Sequence, residues 1–147
     1  MHRYAMALLL PVAALVLGTR TAGSAQTPAR TAQVELLQNY PNPFNPATTI
    51  PFRLDQGLFA NGHRPVVSMR IYNVLAQLVA VPTMQASGER LENVALECRD
   101  VRDGFCEFSA YWDGKYLGTD HEAASGVYVY QLIVDGRRSS RRMIVMK

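Results

Sequence analysis

Short apolar runs punctuated by Gly, Pro, Asn and Asp follow one another from about residue 39 to the end of the chain, and helical periodicity is nearly absent. Such a pattern predicts strands. In residues 48–54, Ile50, Phe52 and Leu54 share one face while Thr49, Pro51 and Arg53 share the other. Pro51 has no N–H for a ladder, which predicts an edge position for this strand. Residues 66–73 alternate cleanly, with Val67, Met69 and Ile71 inward. Residues 73–77 read as a turn and 78–81 as a strand ended by Pro82. Residues 91–98 and 105–112 read as a pair of strands. Residues 127–134 are apolar at nearly every position except Gln131, as in a central strand covered on both sides. Asp135-Gly136 is a hairpin turn that returns the chain into residues 141–146. About seven strands make the expected fold an all-β, immunoglobulin-like antiparallel β-sandwich.

The N-terminal pattern differs. Arg3, an apolar run over residues 5–17, and the small residues Gly23 and Ala25 before Gln26 have the three parts of a secretory signal. The run is broken by Pro11 and falls short of the roughly 20 residues a membrane span needs. The expected division is a cleaved signal peptide at 1–25, a linker at 26–38 and one β-sandwich domain at 39–147, with no transmembrane segment in the mature chain. About 120 residues then remain, enough for one real core.

Composition and charge add little. The net charge of +3 includes two arginines of the signal, leaving the mature chain close to neutral, so nothing in the charge favours nucleic acid as a partner. Arg137, Arg138, Arg141 and Arg142 form the one charged cluster. It reads as a guard against edge-to-edge aggregation, with attraction to an anionic lipopolysaccharide surface as the sharper alternative.

Cys98 and Cys106 are the only cysteines, and in an exported chain a disulfide is the expected state. Cys98 shares a face with Val94 and Leu96, and Cys106 with Phe108, Ala110 and Trp112, so both thiols should point inward. Placing them opposite one another requires a hairpin centred on Arg102 with a five-residue loop, 100–104; a two-residue Asp103-Gly104 turn would misplace them. The spacing is not that of a redox or metal pair.

Candidate chemistry is sparse. His63 and His121 read as loop histidines, and Asp113, Asp120 and Glu122 lack the ligand order of a calcium loop. No nucleophile-elbow, zinc-protease, phosphate-loop or dinucleotide motif occurs, so no cofactor, metal site or catalytic residue is assigned and the chain is not expected to be an enzyme. Tyr128, Tyr130 and Trp112 read as core aromatics rather than a carbohydrate platform.

Five segments carry a family resemblance. They are Leu36-Leu37-Gln38-Asn39-Tyr40-Pro41-Asn42-Pro43-Phe44-Asn45-Pro46-Ala47-Thr48-Thr49-Ile50, Ile71-Tyr72-Asn73-Val74-Leu75, Trp112-Asp113-Gly114, Ser125-Gly126-Val127-Tyr128-Val129-Tyr130-Gln131-Leu132 and Met143-Ile144-Val145-Met146-Lys147. In this order they resemble the type A C-terminal sorting domain of the type IX secretion system, which is similar in fold to the immunoglobulin-like domain of the flagellar hook-capping protein. The first segment is specific and the others are weak alone. Physically, Pro41, Pro43 and Pro46 fix φ at three points, which predicts a stiff extended lead-in to the first strand, anchored by Phe44. Two departures stand out: Ala76 replaces the usual Gly of its turn, and residues 89–111 form an insertion that carries the cysteines.

The resemblance implies a domain read as an export address by outer-membrane translocon components, passing through the periplasm to the cell surface or the medium. Such domains ride on a cargo protein; here the domain is expected to fill the mature chain. The alternative is a free-standing immunoglobulin-like adhesion or assembly module at the cell surface.

Overall fold

A computed structural model describes residues 31–147. The predicted signal peptide at 1–25 and the start of the linker lie outside the described residues. Among these, ten strands form: β1 Val34–Leu36, β2 Thr48–Asp55, β3 Val66–Tyr72, β4 Leu78–Ala80, β5 Thr83–Met84, β6 Val94–Ala95, β7 Val101–Arg102, β8 Phe105–Trp112, β9 Gly126–Val134 and β10 Arg137–Val145. They build two antiparallel sheets, one ordered β1-β2-β8-β5 with β7 also on β8, the other β10-β9-β3-β4 with β6 also on β3. The sheets pack face to face as an all-β sandwich.

The core is where the alternation puts it. Ile50, Phe52 and Leu54 of β2 face Val67, Met69 and Ile71 of β3 and Tyr130, Leu132 and Val134 of β9, all at 1% exposure or less. Each such side chain contributes about 1.5–3 kcal/mol by leaving water. Tyr128 and Trp112 join the core as read from the sequence.

Several expectations are corrected. β2 is not an edge strand, because β1, inside the stretch read as linker, pairs with it. Pro51 is tolerated at the end of β1: Leu37 N donates to Pro51 O at 3.0 Å, and Leu37 O, which faces the missing N–H of Pro51, accepts from the Tyr130 hydroxyl at 2.8 Å instead. β9 is central, between β10 and β3, yet only one face is covered; Val127 is 43% exposed because no layer of the described residues lies outside that sheet. Residues 91–98 do not form a partner for β8. Only β6 is a strand there, and it pairs with β3 in the other sheet.

The Asp103-Gly104 turn does form as a two-residue hairpin, with φ of 50° and 81° and Arg102 opposite Phe105. The Cys98–Cys106 disulfide nevertheless closes, with Cα atoms 5.6 Å apart. Residues 96–100 lie outside any strand, so Cys98 is not bound to a ladder position and reaches Cys106 from the side. Cys106 is buried and Cys98 half-buried, so only one thiol position points fully inward. Asp135-Gly136 forms the expected hairpin, with φ of 47° and 81°, into a β10 that begins earlier than read from the sequence.

Candidate functional site

Four of the five segments singled out in the sequence meet where the β1 side of one sheet approaches the β10 edge of the other, while residues 71–75 end β3 and enter its turn to β4. Residues 40–46 do not run straight, as the prolines suggested. They form a series of bends, with cis peptide bonds before Pro41, Pro43 and Pro46. The segment bridges the two sheets. Tyr40 exchanges two backbone hydrogen bonds with Thr49 of β2, each 2.9 Å, and four residues later Phe44 N donates to Ile144 O at 3.0 Å while Met146 N donates to Phe44 O at 3.1 Å. Asn42 Oδ1 accepts from Ile144 N at 2.9 Å. The bends thus bond to β10, an edge strand, and to the start of β2 that β1 leaves uncovered, both of which would otherwise stay open, which is why bends replace an extended lead-in.

Asn39, 2% exposed, supports the crossing from below. Its amide Nδ2 donates to Thr48 Oγ1 at 3.0 Å and to Pro41 O at 3.1 Å, and its backbone N donates to the Tyr130 hydroxyl at 3.1 Å. That hydroxyl in turn donates to Leu37 O at 2.8 Å. Tyr130 therefore does more than fill the core: burial raises its pKa, and its phenol joins the central strand of one sheet to the edge of the other. Strand alternation told of its burial and had no signal for where the hydroxyl ends.

Phe44, 2% exposed, docks edge-on against Trp112 at 5.4 Å, and Trp112 stands edge-on to Tyr128 at 5.7 Å. Edge-to-face pairs add about 0.5–1.5 kcal/mol each beyond their burial. The Trp112 indole donates to Lys115 O at 2.9 Å. Gly114 has φ of 79°, and a Cβ there would overlap the Pro46 carbonyl oxygen. The Trp112-Asp113-Gly114 turn and the proline segment are therefore in direct contact, and only glycine permits it. Nearby, Lys147 N donates to Ser125 Oγ at 3.0 Å, Lys147 Nζ reaches Glu122 at 2.8 Å and lowers its pKa, and Tyr128 OH donates to Ala124 O at 2.9 Å. Burial first, then the Tyr116 hydroxyl, pushes the Tyr128 phenol up to about 12.

The arginine cluster divides by parity. All four are exposed, and Arg137 and Arg141 also reach across the sandwich edge, donating to Ala32 O at 3.1 Å and Leu36 O at 2.6 Å. His63 is exposed but has a partner the sequence did not suggest, Asp135 Oδ2 at 2.8 Å. Of the carboxylates considered for calcium, Asp120 and Glu122 are met by lysines and Asp113 caps Lys115 N. Among the described residues no group of three or more His, Cys, Asp or Glu is placed to hold a metal ion. No helix among them is long and apolar enough to cross a membrane.

The clamp presents an exposed Tyr40 ring, the exposed Asn42 and Asn45, and Lys147. The patch thus exposes aromatic area and amides, with the Lys147 ammonium paired to Glu122, on a braced backbone. No protein-family model matches the chain, and no curated protein does. Among solved structures it is similar to the Pseudomonas fluorescens alkylpurine DNA glycosylase AlkC bound to DNA containing an abasic site analog, at 16% identity and a TM-score of 0.45, over 80% of this chain and 31% of that one. The chain thus spans about a third of that structure's length. That neighbour is an enzyme, and on this finding the expectation that the chain is not an enzyme is withdrawn. A likeness of this size transfers neither the neighbour's activity nor its DNA contacts.

Proposed function

We propose that the domain is a secretion-sorting and surface-targeting module, read as an export address by components of an outer-membrane translocon. One observation supports the reading: residues 40–46, Trp112-Asp113-Gly114, Ser125, Tyr128 and Lys147, scattered over more than a hundred positions, gather into one braced patch. A receptor that must recognise a folded module needs such a preorganised surface, because little ordering cost then remains on binding. The disulfide, favoured in oxidising compartments, fits passage through the periplasm.

The test is fractionation of the full chain in its native host with the translocon intact and disabled. Accumulation in the periplasm of the disabled strain is expected; unchanged appearance outside the cell overturns the reading. A second reading, an immunoglobulin-like adhesion module, draws on Val74 and Leu75, each 74% exposed at the tip of the β3–β4 turn.

A further inference from the structure

The loop that carries Asp113 and Gly114 also forms one wall of a cavity of about 490 Å³, whose other wall is the connection between β4 and β5. Backbone hydrogen bonds hold both walls. Leu117 N donates to Val79 O at 2.8 Å, Tyr116 N to His121 O at 2.9 Å and Leu91 N to Pro82 O at 2.8 Å. A cavity fixed in this way stands ready before anything enters, so a ligand meets little ordering cost.

The lining brings together Tyr111, Tyr116, Arg90, Lys115, Asp113 and Asp120. Tyr111 lines the cavity and is 40% exposed, while Lys115 Nζ lies 3.3 Å from Asp120. Two cations and two carboxylates cancel. An anionic ligand would meet Asp113 and Asp120, and a cationic one Arg90 and Lys115, so neither sign is favoured. A hydroxyl-rich neutral ring suits every group: its hydroxyls donate to the carboxylates and accept from Arg90 and Lys115, and its C–H face lies on an aromatic ring. The volume is in the range of small-ligand sites, about 300–1,000 Å³.

We propose that this cavity binds a short neutral saccharide of one or two rings, with Tyr111 as the stacking platform. The inference is independent of the sorting reading, since it rests on the cavity and its lining.

The test is titration of the ¹⁵N-labelled full chain with cellobiose, maltose, mannobiose and N,N′-diacetylchitobiose, with inorganic phosphate as the anionic comparison. At least one saccharide should shift the amides of Tyr111, Asp113 and Lys115 in a saturable manner. Tyr111→Ala should then weaken that binding about tenfold. Asp113→Asn, which retains the side-chain oxygen that accepts from Lys115 N, should weaken it as well and stands in if Tyr111→Ala does not fold. No saturable shift with any of the four, shifts confined to other regions, stronger binding of phosphate than of any saccharide, or undiminished binding by the folded variants would each overturn the proposal.

Discussion

Gly114 shows how one missing methyl group can hold a site together. Its φ of 79° belongs to the region that L side chains avoid, and a Cβ would also overlap the Pro46 carbonyl oxygen. Gly114→Ala should therefore lower stability by at least ~2 kcal/mol in urea unfolding. Phe44→Ala removes a side chain buried against Trp112 and should cost about 3–5 kcal/mol in the same measurement. Tyr128 gives a test against pH. Its phenol pKa is raised by burial from 10.0 to about 12, so its contribution is complete below pH 10.0 and is lost as pH rises toward 12. Tyr128→Phe should flatten the fall in stability across that window, read from urea midpoints at a series of alkaline pH values. At this scale the sequence was partly legible. Phe44, Trp112 and Tyr128 could be read as buried aromatics from alternation and motif, whereas the contact of Gly114 with Pro46 joins residues too far apart in the chain for any local pattern to register.

Turns and strands carry the next scale. Asp135 occupies the first position of the β9–β10 hairpin at a φ of 47° and accepts from Val66 N at 2.9 Å and from His63. Burial pushes its carboxyl up, but the bonds from His63 and Val66 and the charge of Arg137 outweigh it and hold the pKa below 3.8. A depressed folded pKa contributes stability that is present above the unfolded value and lost as pH falls through the folded one. Asp135→Asn, which suits the turn equally well, should thus show a deficit near neutral pH that shrinks as pH falls below 3.8. The disulfide braces the other hairpin. Replacing Cys98 and Cys106 together by alanine should cost about 2.5 kcal/mol from loop closure, seen as a lower urea midpoint. The Asp135-Gly136 hairpin was legible because Asp-Gly is a local signal, whereas at Asp103-Gly104 the expected facing of the two cysteines pointed to a five-residue loop and the two-residue turn formed instead. The partner of residues 91–98 was not legible, since a two-residue strand leaves no period to count and its choice of sheet is made by long-range contacts.

For the molecule as a whole, the two sheets share one core and one clamp. Phe44 binds the edge of β10 while Tyr40 binds β2, and Tyr130 spans from β9 to Leu37, so neither sheet has a face it can keep buried alone. Full-chain unfolding of the described domain should be one cooperative step, with Trp112 fluorescence and far-ultraviolet dichroism coincident; separated transitions would contradict a shared core. By itself the sequence determined the fold class, the inward faces of β2 and β3, the hairpin at Asp135-Gly136 and the identity of the disulfide partners. Period-two alternation and turn chemistry are properties of neighbouring residues, and a chain with two cysteines leaves a single pairing, so all three survive in one dimension. Only the tertiary structure decided that β1 covers β2, that the proline segment bends across two sheet edges, that Arg141 and the Tyr130 hydroxyl latch them, and that the Asp113 loop closes a cavity. Those features depend on which backbone groups are left unpaired at sheet edges, and that is settled only once the two sheets have met.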